Sequence, residues 1–68
     1  MRKLVSNNYY SDNELVGKFV MVISNSSVYY KKIGRVIGFS KNKKMIYVYF
    51  DEIKLKALFD RNSLELMN

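Results

Sequence analysis

Two apolar runs separated by a short polar segment form the centre of the chain. They are Ile33–Phe39 and Met45–Phe50, and the segment between them, residues 40–44, is rich in lysine. This pattern predicts a β-hairpin, because two β-rich runs joined by a few polar residues usually pair. The second run alternates with the period of two of a half-buried strand. Its faces carry Ile46, Val48 and Phe50 on one side and Tyr47 and Tyr49 on the other.

The first run is interrupted by two glycines, Gly34 and Gly38. A glycine inside a strand usually marks a bulge, a bend or a close approach of another backbone. Two glycines in one short strand therefore predict a strongly curved sheet, as a small barrel requires.

Shorter runs on either side of the hairpin predict the remaining strands. Residues 18–23 form the first strand, and a polar loop at residues 24–30 leads to the hairpin. Residues 54–59 alternate like a fourth strand, although the segment Lys-Ala-Leu-Phe within them also suits a helical turn. Residues 60–63 predict one turn of 3₁₀ helix. Residues 64–66 then form a last strand that closes against the first.

This order of elements predicts an all-β fold, a small five-stranded SH3-like barrel with one short 3₁₀ turn before the last strand. An OB-fold normally carries a helix between its third and fourth strands, and no stretch here is long enough for one. Residues 14–68 are expected to form the barrel, and residues 1–13 a flexible N-terminal arm. The expected core consists of Val20, Val22, Ile33, Val36, Ile46, Val48, Phe50, Leu55, Phe59 and Leu64.

The charge of the chain is positive and unevenly distributed. Twelve Lys and Arg residues face six Asp and Glu residues, which gives a net charge of +6, and no acid occurs between Leu15 and Phe50. A basic middle between acidic ends suits a docking face for nucleic acid, an acidic protein or an anionic membrane surface. The alternative is ordinary surface charge that keeps the domain soluble.

The candidate binding residues combine this charge with neighbouring tyrosines. Aromatic side chains next to lysines stack on bases or lie against a partner protein. The alternative for the pair Tyr29 and Tyr30 is that one closes the barrel and the other is simply exposed. The full set is Lys31, Lys32, Arg35, Lys41, Lys43, Lys44, Tyr29, Tyr30, Tyr47 and Tyr49.

The chain lacks the residues that most enzymes depend on. It contains no histidine and no cysteine, so it has neither a thiolate metal site nor the base of a catalytic triad. We therefore expect a binding or scaffold module with no catalytic residues, no cofactor and no metal. All of the apolar runs, including residues 19–23, are far shorter than the ~20 residues that span a bilayer. The first residues also lack the apolar core of a signal peptide.

Several short motifs resemble the small SH3-like subunits of photosynthetic electron-transfer complexes. The polar loop ends in an aromatic pair, Tyr29-Tyr30, and a glycine-valine strand follows at residues 34–36. A V-x-F strand at residues 48–50 and a closing F-x-x-x-x-L-E at residues 59–65 complete the pattern. The layout is most similar to subunit S of the photosynthetic NAD(P)H-dehydrogenase-like complex. Photosystem I subunit IV and the variable chain of ferredoxin–thioredoxin reductase are also similar.

The resemblance implies a non-catalytic peripheral subunit that helps to dock an acidic electron carrier such as ferredoxin through its basic face. It also implies a cytoplasmic or stromal location, peripheral to the thylakoid membrane. A KOW-like or other SH3-like nucleic-acid-binding or ribosome-associated module is the competing interpretation, because residues 33–38 have the glycine spacing of such motifs. A structural subunit with no specific ligand is the third.

Overall fold

The computed structural model describes residues 2–3 and 10–67 as an antiparallel sheet with one short helix and one 3₁₀ turn. The 3₁₀ turn, Arg61–Ser63, immediately precedes the last strand, as predicted. The elements in chain order are β1 (Arg2–Lys3), α1 (Asp12–Leu15), β2 (Phe19–Val22), β3 (Ile33–Phe39), β4 (Met45–Phe50), β5 (Leu55–Asp60) and β6 (Leu64–Met67).

The sheet has the order β1-β6-β2-β3-β4-β5. Four of its five main strands, β2 to β5, form a meander in chain order. The fifth main strand, β6, pairs with the free side of β2. The predicted pairing of the last strand with the first is confirmed by the register, which places Val20 opposite Leu66 and Val22 opposite Leu64. No pairing between β1 and β5 is present in the described part of the chain, so closure into a barrel stays a prediction.

One face of the sheet holds the core, and Leu15 of α1 completes it. Every strand from β2 to β6 contributes to a single buried cluster, and the only described α-helix, α1, has four residues. A sheet without a covering layer of helices buries one face only by curling around it. The predicted core is confirmed at Val20, Val22, Val36, Ile46, Val48, Phe50, Phe59 and Leu64.

Two of the predicted core residues are wrong. Ile33 is 50% exposed because the buried Val36 and Gly34 lie an odd number of residues away and take the inner face of β3. The irregularity that the glycines predict does occur, but between Val36 and Gly38, beyond Ile33. Leu55 is 42% exposed because it starts an edge strand, β5, directly after a turn.

Two core residues escaped the sequence analysis, Leu15 in α1 and Leu66 in β6. The helix α1 has a capping box, in which the Ser11 side chain accepts from the Glu14 amide and the Glu14 carboxylate accepts from the Ser11 amide. These hydrogen bonds lower the pKa of Glu14 below its ordinary value. The interaction therefore stabilises the folded state at neutral pH and is lost as the pH falls through the lowered pKa.

The N-terminal segment is only partly described. The backbone of Arg2 and Lys3 pairs with β6, opposite Leu66 and Glu65. Residues 4–9 lie outside the described residues, so the predicted flexibility of the arm over residues 1–13 stays a prediction. The helix α1 spans the predicted boundary between residues 13 and 14.

A Gly34→Ala substitution should destabilise the domain. A β-carbon at this position would lie 2.5 Å from the Val48 side chain and 2.8 Å from the backbone oxygen of Tyr49, so β3 or β4 would have to move. Overpacking of this kind costs roughly 1–3 kcal/mol. Chemical denaturation monitored by circular dichroism measures the loss.

Gly38→Ala is the matched control, since Gly38 lies in the same strand and a β-carbon there meets nothing within 4 Å. This variant should be as stable as the parent protein or slightly more stable, because alanine reduces the freedom of the unfolded chain. Equal destabilisation by the two substitutions would show that the close contact between β3 and β4 is not what requires glycine.

Candidate partner-docking face

The outer face of the sheet carries a row of side chains that crosses all five main strands. Directly opposite residues share a face, and the register links them one after another. We call this set the cross-strand row; in spatial order it is Met67, Phe19, Arg35, Tyr49 and Lys56. It contains two cations and two aromatic rings and no carboxylate.

The cations of the cross-strand row are accessible to a partner. Arg35 and Lys56 are both exposed, and Tyr49 lies half-buried between them. The Lys56 ammonium lies 5.6 Å from the centre of the Tyr47 ring, which brings a second tyrosine to the same part of the face. An ammonium at this distance is attracted by the ring, so the lysine is held over the aromatic surface.

A cleft of about 550 Å³ adjoins this row at the start of β3. Its apolar walls are Phe19, Tyr30 and Ile33, which are 50%, 44% and 50% exposed. Phe19 belongs both to the cleft and to the cross-strand row, so the two features form one continuous surface. Three large, half-exposed apolar side chains around one concavity are typical of a binding site.

The charged rim of the cleft is mixed. Lys31 and Lys32 come from the loop before β3, and Asp51 and Glu52 come from the turn after β4. The Lys32 ammonium donates to the Glu52 carboxylate at 3.4 Å, an exposed pair that contributes little to stability. The Lys31 ammonium instead lies 5.4 Å from the centre of the Tyr30 ring. Neither Lys31 nor Arg35 has a carboxylate partner among the described residues.

Backbone hydrogen bonds fix the two lysines at the rim. The Lys31 amide donates to the Val22 carbonyl at 2.8 Å, and the Val22 amide donates to the Lys32 carbonyl at 3.0 Å. Lys31 adopts a left-handed conformation with φ of 69°, which turns the chain from the loop into β3. The backbone from which both side chains extend is therefore fixed by the end of β2.

The turn between β3 and β4 presents the other predicted lysines. The Asn42 side chain accepts from the Lys44 amide at 3.0 Å, and the Ser40 hydroxyl accepts from the Met45 amide at 3.1 Å. These contacts use the backbone of the turn and leave its lysine side chains, Lys41, Lys43 and Lys44, exposed.

Arg61 anchors this turn to the body of the domain. Its guanidinium donates to the Asp12 carboxylate at 2.9 Å and to the Lys43 carbonyl at 3.3 Å. It also lies 5.5 Å from the centre of the Phe39 ring. One side chain thus joins α1, the 3₁₀ turn and the β3–β4 turn.

The structure divides the predicted basic residues into separate groups. Lys31 and Lys32 precede β3, and the turn with Lys41, Lys43 and Lys44 follows it. A seven-residue strand spans about 20 Å, so these groups lie at opposite ends of the domain. Arg35 lies between them on the outer face, in register with Tyr49.

The two neighbouring tyrosines of the loop differ in environment. Tyr29 stacks on Phe50 with 5.3 Å between ring centres and meets Phe59 edge-on at 5.9 Å, so it packs against the core. Tyr30 lies at the cleft and is partly exposed. The packing of Tyr29 leaves it unsuited to stacking on a ligand, so of the pair only Tyr30 stays a candidate binding residue.

Neither a family model, nor a curated protein, nor a solved structure matches this chain. The arrangement of its own side chains therefore has to carry the functional argument. No helix in the described residues is long and apolar enough to cross a membrane. Those residues also contain no cluster of three or more acidic, histidine or cysteine side chains that could hold a metal ion.

Phe19, Ile33 and Lys56 are not among the binding residues predicted from the sequence. The pattern of the chain predicts Phe19 only as part of a mostly apolar strand and Ile33 as part of the core. The signal that finds them is the strand register, because it brings residues far apart in sequence into one row. Once Gly34 is known to face inward, the alternation of β3 also places Ile33 and Arg35 on the outer face.

Proposed function

We propose that this protein is a non-catalytic docking module that binds an acidic protein through its outer sheet face. One observation carries the proposal: Arg35 and Lys56 lie in a cross-strand row with Phe19 and Tyr49, and no carboxylate interrupts it. Exposed cations next to apolar surface suit a protein partner, because charge steers the encounter and apolar contact holds the complex. The sequence resemblance suggests the partner: an acidic electron carrier such as ferredoxin, at a photosynthetic electron-transfer complex.

Single-stranded nucleic acid is the second candidate ligand, and one feature favours it. Arg35 lies between Phe19 and Tyr49 in the cross-strand row. The two aromatic residues are therefore two strand spacings apart, or about 10 Å. Unpaired bases can stack on aromatic rings arranged in this way.

Other features of the face favour a protein. Asp51 and Glu52 share the cleft rim with Lys31 and Lys32, so the rim lacks the unbroken positive charge of a groove that tracks a nucleic-acid backbone. The lysines of the β3–β4 turn lie about 20 Å from that rim rather than continuing it into one cationic groove.

Direct binding measurements distinguish the two ligands. Isothermal titration calorimetry should detect ferredoxin at low salt, with affinity falling steadily as salt is added, because exposed charges are screened beyond about 10 Å at 0.1 M. Tyr47→Ala, which lies outside the cross-strand row, should leave most of that affinity, whereas Tyr49→Ala should weaken it. A short single-stranded RNA is the comparison ligand, and each tyrosine on which a base stacks would contribute ~1–3 kcal/mol. Tight RNA binding that needs the tyrosines, with no ferredoxin binding, would replace the proposal by its alternative.

A further inference from the structure

We infer that the cleft beside Phe19 is an anchor pocket, which takes one aromatic side chain of the acidic partner while Lys31 and Arg35 bind carboxylates on either side of it. This inference rests on the proposed function and specifies the partner's recognition element: an exposed aromatic residue with acidic neighbours. It assigns a role to Ile33 and Tyr30, which the charge of the face alone does not explain.

The lining of the cleft favours an aromatic side chain, and its size admits one. Its volume, about 550 Å³, lies within the range of ~300–1,000 Å³ usual for small binding sites, and it has room for one ring with its adjoining backbone. Two of the apolar walls, Phe19 and Tyr30, are themselves aromatic. An incoming ring gains offset or edge-to-face contact with them in addition to the burial of apolar area. The third wall, Ile33, is aliphatic and half-exposed, so it is free to pack on the same ring.

The distribution of charge places carboxylates beside that ring rather than inside the cleft. Glu52 already accepts a hydrogen bond from Lys32, so these two charges at the rim are paired with each other. Lys31 and Arg35 have no carboxylate partner among the described residues, and they lie on either side of Ile33 in the chain. Arg35 is also directly opposite Phe19, so a cation adjoins the apolar wall. A segment with acids on both sides of an aromatic residue satisfies both cations at once.

The variant Ile33→Lys distinguishes binding by an apolar pocket from binding by surface charge alone. The substitution adds a positive charge, raising the net charge from +6 to +7, while it removes an apolar wall of the cleft. A face that works by charge alone would bind an acidic ligand more tightly after this change, whereas an anchor pocket would bind it more weakly. Leu58→Lys is the matched control, because Leu58 is also on the outer face and 40% exposed but does not line the cleft.

Two peptides test the anchor, Gly-Glu-Asp-Phe-Asp-Glu-Gly and the same peptide with alanine in place of phenylalanine. Fluorescence anisotropy should show the phenylalanine peptide binding the parent protein about tenfold more tightly or better. The ratio should fall to about one in Ile33→Lys and persist in Leu58→Lys. Titration followed by NMR should shift the amide signals of Gly34 and Ile33 more than those of the β3–β4 turn.

The outcomes separate this inference from the function on which it rests. Equal, salt-sensitive binding of both peptides would overturn the anchor pocket and leave an acidic-partner module in place. Stronger binding of the phenylalanine peptide by Ile33→Lys would also overturn it. Failure of both peptides and of ferredoxin to bind would overturn the proposed function itself. Binding of single-stranded RNA alone, weakened by Ile33→Lys, would assign the cleft to a nucleobase instead of a protein side chain.

Discussion

Replacing Phe50 by alanine is expected to unfold most of the protein. Phe50 is the largest of the fully buried side chains, at 1% exposure, and it stacks on Tyr29 and meets Phe59 edge-on. Truncating a buried phenylalanine to alanine costs about 3–5 kcal/mol. The total stability of a folded domain is only ~5–15 kcal/mol, and a chain of 68 residues belongs at the low end of that range. Thermal melting followed by circular dichroism measures the effect.

Phe19→Ala provides the control for the Phe50 substitution, since it removes the same atoms from a side chain that is 50% exposed. This variant should stay folded and lose much less stability, because a half-exposed ring leaves no enclosed cavity behind. If Phe50→Ala melts at the temperature of the parent protein, the aromatic cluster of Phe50, Tyr29 and Phe59 is not the centre of the core.

The strands were predictable because their signals are local. Met45–Phe50 alternates between apolar and tyrosine side chains, and the structure buries Ile46, Val48 and Phe50 as that alternation requires. The polar turn before this strand is short, and short turns join neighbouring strands as antiparallel hairpins. The segment before the last strand carries no strand pattern and forms the predicted 3₁₀ turn.

Other parts of the fold depend on register, which the sequence does not display. The predicted core required Ile33 and Val36 to share a face, and this would be true only if the bulge fell between them. The bulge falls between Val36 and Gly38 instead, so Ile33 faces outward. By contrast, the helix α1 does have a local signal, since Ser11 followed three residues later by Glu14 is a capping box.

The candidate site was predictable in composition but not in layout. Arg35 and Tyr49 were both selected from the sequence, and the register places them directly opposite each other. Their neighbours Phe19 and Lys56 come from distant segments and were recognisable only from the assembled sheet. Tyr29 and Tyr30 are adjacent in sequence, yet one packs on the core and the other borders the cleft, a difference that depends on the path of the loop.

Reversing the charges of the cross-strand row is expected to abolish most binding of the acidic partner. The double variant Arg35→Glu, Lys56→Glu lowers the net charge from +6 to +2 and places two carboxylates on the proposed contact surface. Like charges brought together in an interface cost several kcal/mol, so affinity should fall by about 100-fold or more. Both side chains are exposed, so the melting temperature should change little.

A second double variant, Lys41→Glu, Lys44→Glu, makes the same change in net charge at the far end of β3. Neither ammonium group takes part in a described hydrogen bond or ion pair, so this variant also keeps its turn. Charges outside the contact act through steering, and their effect is mainly a slower association that salt removes. The turn variant should therefore lose at most about tenfold in affinity at low salt and approach the parent protein at high salt. Equal losses of affinity in the two variants would mean that net charge, and not the cross-strand row, governs docking. A larger loss of affinity in the turn variant would place the docking site at the β3–β4 turn.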